Sequence, residues 1–189
     1  MDIDWTHELT EQLDWHWRVQ LRPRLGGLSD EEYLWEPVAG CWSLRPRAEA
    51  RTAMAAGAAA TVADFAHPPP DPEPITTIAW RMGHIAVGCL GMRAASHFGD
   101  GGLDYATTDW PLTAEGGLAL LDRHYAAWTT GIRGMDEAGL ARPIGPAEGE
   151  WAEHSYAALI LHITREVIHH GAEIALLRDL YLRREELQP

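Results

Sequence analysis

The chain of 189 residues contains no lysine, so each of its fixed positive side-chain charges is an arginine, and the formal net charge is −13. A groove that tracks phosphates needs a dense basic face, which an acidic surface of this kind does not supply, so nucleic-acid binding is not expected. Cysteine is scarce as well. Cys41 and Cys89 are too few and too far apart for a disulfide framework. Met1 is followed by Asp2 and Asp4 rather than by a basic and apolar leader, and together with the unpaired cysteines this points to the cytoplasm. Long hydrophobic runs are missing too. Arg, Asp, Glu or His interrupts every helical segment before the roughly 20 apolar residues of a membrane span are reached, so no membrane association is expected.

What is present is helical. Strong helix formers are abundant, and β-branched residues are scattered instead of alternating as half-buried strands require. The length suits one domain, residues 1–189, with a core large enough to stand without disulfides. The first apolar stripe, Leu9, Leu13, Trp17 and Leu21, predicts a helix over Thr6–Arg22, ended by Pro23 and Gly26-Gly27. Ser29-Asp30-Glu31-Glu32 has the spacing of a capping box and predicts a short helical turn that carries Tyr33 and Trp35 inward. Trp42-Ser43-Leu44-Arg45 follows as a connector. From Pro46 to Pro74 the chain is partly loop. Its alanine-rich Arg51–Ala66 stretch is compatible with a helix, whereas the prolines of His67–Pro74 are not.

The second long helix is expected from Thr76 or Thr77, either of which can cap it, to His97, and Gly99–Gly102 stops it. A third is expected over Thr113–Glu137, with Leu118, Leu121, Tyr125, Trp128 and Ile132 as its buried edge. A fourth, capped by Ser155, runs from Tyr156 to Glu186 with Gly171 as its one breaker. Four long amphipathic segments joined by long loops make an all-α four-helix bundle.

The chemistry gathers on the last of these helices. At 3.6 residues per turn, His162, Glu166, His169, His170 and Glu173 fall within roughly 100° of one another. Periodicity alone leaves two readings of that stripe open. One is a solvated polar face. The other is an interior cluster, because Leu159, Ile160, Ile163, Val167, Ile174 and Leu177 leave much of the helix apolar, and a buried carboxylate needs a cation or hydrogen bonds to offset its desolvation. Glu166 and His170, at i and i+4, are close enough to reach one ion. His84 lies mid-helix among apolar neighbours, where a histidine is more often a hydrogen-bonded core residue. Cys89, five positions further on, lies about 140° from His84 around an α-helix and therefore faces away from it. Cys41, beside Trp42, reads as packing.

Thr77-Ile78-Ala79-Trp80-Arg81-Met82-Gly83-His84-Ile85, taken with His162-Ile163-Thr164-Arg165-Glu166-Val167-Ile168-His169-His170-Gly171-Ala172-Glu173-Ile174, resembles the DinB-like superfamily. Leu13-Asp14-Trp15-His16-Trp17, Trp35-Glu36-Pro37 and Cys41-Trp42-Ser43 extend the likeness across most of the chain. The resemblance implies a four-helix bundle with a divalent metal held by His84, Glu166 and His170. Many members carry His where this chain has Glu166. The Glu version resembles the mycothiol-dependent maleylpyruvate isomerase branch, whose metal is zinc. A mixed nitrogen and oxygen site also accepts nickel, iron or manganese. Glu173 is expected to orient a ligand, and His162 and His169 to carry a proton or hold substrate, with a purely structural role equally open.

Three protein ligands leave a coordination position for water or substrate. The functional expectation is a metal-dependent enzyme that uses a low-molecular-weight thiol such as mycothiol against a small-molecule electrophile, of S-transferase or isomerase type. The competing expectation is a non-enzymatic metal-binding or stress-associated bundle, and a metal-dependent hydrolase is a third. A homodimer fits the fold class.

Overall fold

The computed structural model describes residues 2–186. The expected domain bounds, residues 1–189, and the reading of Met1 reach residues that lie outside these. Helix α1 begins at Trp5–Trp15, passes through a π-helical stretch at His16–Leu21 and ends with Arg22–Arg24. The single turn α2 is Asp30–Tyr33. Strands β1 (Leu44–Pro46) and β2 (Thr61–Ala63) pair antiparallel, Leu44 opposite Ala63. Helix α3 runs through Ile78–Gly83, a π-helical stretch at His84–Gly91, and Met92–Phe98. Helix α4 is Ala114–Arg133, the short α5 is Glu137–Ala141, and α6 is Tyr156–Leu182. The four long helices form the expected all-α bundle. Both α1 and α3 pack against α4 and α6, so α3, which carries His84, lies directly beside α6. No helix among the described residues is long and apolar enough to cross a membrane.

The helix starts follow from side-chain caps. Thr77, Thr113 and Ser155 each accept from the backbone N–H three residues on, at Trp80, Gly116 and Ala158. Such a cap contributes about 1 kcal/mol by satisfying a donor that the helix itself cannot. Ser29 caps α2 in the same way, accepting from Glu32 N–H. The capping box is not completed, because the Glu32 carboxylate turns to Arg178 of α6. The glycines that weaken the sequence pattern of α4 have a packing reason. A Cβ at Gly131 would stand 2.1 Å from the ring of Phe98, so the close approach of α3 and α4 requires a residue without one.

The connector differs most from expectation. Leu44 and Arg45 enter a strand, and the alanine-rich stretch is not helical: it loops back and returns as β2. Its organising group is Asp64, which is fully buried. Its carboxylate accepts from Ser43 N–H, Arg51 N–H and the Arg45 guanidinium at 2.8–3.1 Å. A buried charge demands this many partners. The backbone carbonyl of Asp64 also accepts from Trp80 Nε1–H at 2.7 Å, which ties the connector to α3 one turn before His84.

A second buried ion pair joins α2 to α6. Arg178 donates from Nε and Nη2 to the two oxygens of Glu32 at 2.7 and 3.0 Å, and Nη1 reaches the carbonyls of Arg24 and Gly26. The Glu32 side chain is 5 % exposed, so removing its partner leaves an uncompensated carboxylate inside. Arg178→Ala is expected to lower unfolding stability by about 3 kcal/mol. Removing Arg18, whose pair with Glu11 is solvent-exposed, should cost under about 1 kcal/mol. Urea unfolding of the two variants side by side checks the contrast.

Candidate metal centre

His84 opens the π-helical stretch of α3, where the backbone hydrogen bond spans five residues: Met92 N–H donates to Val87 C=O. In a ring closed over five residues the fifth side chain returns to the face of the first. Cys89 therefore stands beside His84, with Sγ 3.6 Å from Nε2, and the expectation that it faces away is corrected. The error came from applying the α-helical period to a turn wider than an α-helix.

Across the interface, α6 supplies Glu166 and His170. One ligand atom from each of His84, Cys89 and Glu166 lies within 4.8 Å of the other two. The His84 and His170 rings meet edge-on, centroids 4.8 Å apart, and His170 Nε2 is 3.4 Å from Glu166 Oε2. The structure thus groups His84 and Glu166 with a thiol, and His170 adjoins that group through Glu166 and the His84 ring, while its own ligand atoms cluster with His169 and Glu173.

Each imidazole is oriented through its other nitrogen. His84 Nδ1 is hydrogen-bonded to the Tyr105 hydroxyl at 2.8 Å, and with that hydroxyl as acceptor Nε2 keeps its lone pair. Trp80 stacks on the same ring, centroids 5.5 Å apart and planes within 10°. His170 Nδ1 is paired with Glu173 Oε2 at 2.8 Å, and Arg81 Nε stands 2.7 Å from that same oxygen. A carboxylate in this position fixes the tautomer of the imidazole and raises its basicity, so Glu173 holds the orientation of the His170 ring.

The remaining members of the polar stripe lie further out. The His169 side chain is 65 % exposed and approaches Glu173 at 3.6 Å, while His162 is 44 % exposed, with Nδ1 bonded to Arg165 and 3.7 Å from Glu166 Oε1. The stripe therefore straddles the surface, with His170 turned in, 12 % exposed, and His169 turned out. His16 is buried in the π-helical stretch of α1, where Nδ1 meets Gln20 at 2.9 Å, and it does not belong to the cluster.

The donor set fits a divalent cation. Among the described residues Glu166 has no arginine partner, only the imidazoles of His162 and His170. Burial, reinforced by His170 and then Arg81 and Arg93, pushes the His84 pKa down to about 3, so His84 is neutral at neutral pH and cannot balance the carboxylate. Burial, then Glu166, pushes the Cys89 thiol up to about 12. Two imidazoles, a carboxylate and a thiol without a fixed positive charge among them make a ligand set suited to zinc and its neighbours.

Two of these groups give no signal in the sequence. Tyr105 sits in an aperiodic loop after α3, and Cys89 is hidden by the α-helical period.

Gly88 shows how tightly the second nitrogen of His84 is held, since a Cβ there would stand 2.6 Å from Tyr105 Oη and 3.1 Å from His84 Nδ1. Gly88→Ala gains helix propensity but must push the phenol off the imidazole. Both Gly88→Ala and Tyr105→Phe are expected to weaken metal affinity about 10-fold or more. Competition against a chromophoric chelator reads this directly, and an unchanged affinity in both would remove Tyr105 from the site. No curated protein and no solved structure matches the chain. A family model described as the DinB superfamily does match it, over residues 12–174, and the chain belongs to that superfamily.

Proposed function

We propose that this chain is a metal-dependent enzyme using a low-molecular-weight thiol, of S-transferase or isomerase type, with His84, Glu166 and His170 holding the cation. The observation that carries the reading is the meeting of these three donors from two helices, each imidazole already oriented through its far nitrogen. Zinc suits the set first, and nickel, iron or manganese are compatible with it. When bound, such a cation supplies Lewis-acid chemistry and lowers the pKa of a thiol that reaches it.

The rest falls to side chains of this protein. A cleft of about 450 Å³ adjoins the cluster at His162 and is lined by Arg93, Trp151, His154, Leu159 and Arg165 among others. That volume suits a small molecule, and since Arg93 on this wall is paired with Glu148, Arg165 is the guanidinium that would meet an acidic group on an electrophile. In this reading His162, on the cleft wall, and the exposed His169 carry a proton between the site and water. Mycothiol is the thiol that the Glu166 variant of the motif suggests. A reduced thiol and two free cysteines both suit a cytoplasmic setting, and a homodimer remains part of the proposal.

The second reading is a passive metal-binding bundle, which the position of Cys89 favours, because a fourth protein donor closes the coordination sphere as structural zinc sites do. Protein purified without added metal should contain about one equivalent, and His170→Ala should lose it. Stoichiometric metal in that variant would overturn the ligand assignment. Titrating the cobalt-substituted protein with a small thiol separates the two readings: a changed visible spectrum supports the enzyme, and an unchanged one leaves the passive bundle.

A further inference from the structure

We propose that Cys89 is itself a ligand, its Sγ bound to the same cation as His84, Glu166 and His170, so that the site without substrate has two nitrogen donors, one oxygen and one sulfur. The inference rests on the metal reading above and deepens it.

Three observations carry it. The first is distance. A tetrahedral ion with metal–nitrogen and metal–sulfur bonds of about 2.0 and 2.3 Å holds the two ligand atoms roughly 3.5 Å apart. Cys89 Sγ and His84 Nε2 are 3.6 Å apart, and a Glu166 ligand atom lies within 4.8 Å of a ligand atom on each. The second is the direction of the lone pairs. His84 Nδ1 is occupied by Tyr105, so the nitrogen that faces the sulfur is the one free to ligate.

The third is the backbone. A π-helical stretch is rare, and such stretches cluster at functional sites. An α-helix through the same residues would carry the sulfur about 140° away. Here the wide turn places residues 84 and 89 on one side of α3, facing α6. Cys89 is 4 % exposed and free, and the chain has one other thiol, Cys41, which donates to Val38 C=O instead. Without a cation the Cys89 thiol hydrogen-bonds to His84 Nε2, and the proposed ion would take the place of that proton between the two atoms.

The test is cobalt substitution in thiol-free buffer, with cobalt counted by metal analysis and the near-ultraviolet spectrum recorded. Wild-type protein and Cys41→Ser are expected to bind about one equivalent and to show the sulfur-to-cobalt charge-transfer band. Cys89→Ser is expected to lose the band while keeping bound cobalt and its visible ligand-field bands. Stoichiometric cobalt without the band in the wild type, or a band that survives Cys89→Ser, overturns the sulfur assignment and leaves the three-ligand site standing. A wild type that takes up no cobalt overturns the site and the sulfur ligand together. If Cys89→Ser does not fold, Cys41→Ser decides alone, because its only thiol is Cys89.

Discussion

The centre of this protein depends on a stretch of α3, His84–Gly91, whose backbone hydrogen bonds reach five residues back instead of four. The widened stretch opens at His84 and closes where the Met92 N–H donates to Val87. The helix continues on either side, so the extra residue is absorbed without breaking the bundle, and α3 still packs against α4 and α6. What changes is which side chains share a face. His84 and Cys89 come to look at Glu166 together, and a half-buried carboxylate, a buried thiol and an imidazole meet, with His170 beside them. Such a collection is costly unless a cation offsets it, which makes the backbone irregularity and the metal reading two views of one constraint.

Around that turn the chain has built supports from parts that are not bundle. The connector between α2 and α3 is ordered by the buried Asp64, whose carboxylate collects the loop and whose carbonyl holds the Trp80 indole. Trp80 in turn lies flat on His84. The loop after α3 brings Tyr105 to the far nitrogen of the same imidazole, packed between Phe65 and Trp110. Trp110 is anchored by its indole N–H to Ala56 C=O in the connector. A segment with little helical pattern thus fixes the ring that matters most, because ligand orientation comes from rigid neighbours that the ligand itself does not choose.

The legible parts of the sequence were those governed by local periodicity and caps. Thr77, Thr113 and Ser155 start the helices they were expected to start, and the i, i+4 spacing of Glu166 and His170 places both on the turn of α6 that meets α3. His84 was harder. Its residues alone read as a core histidine, and only the resemblance to the superfamily joined it to Glu166 and His170. The polar stripe of α6 was ambiguous for a good reason: it lies on the edge between core and water, so His170 and His169 obey opposite readings.

By itself, then, the sequence determined the class, the four long helices and the helix faces that carry histidine and carboxylate, because those follow from interactions within a few residues of each other. Only the tertiary structure decided that Arg51–Ala66 folds back to pair as a strand, that Tyr105 seats against His84, and that Cys89 stands beside His84 and Glu166. Asp64, Tyr105 and the widened turn of α3 are held by partners distant in the chain or by a departure from the helical period, and neither leaves a local imprint on which residue follows which.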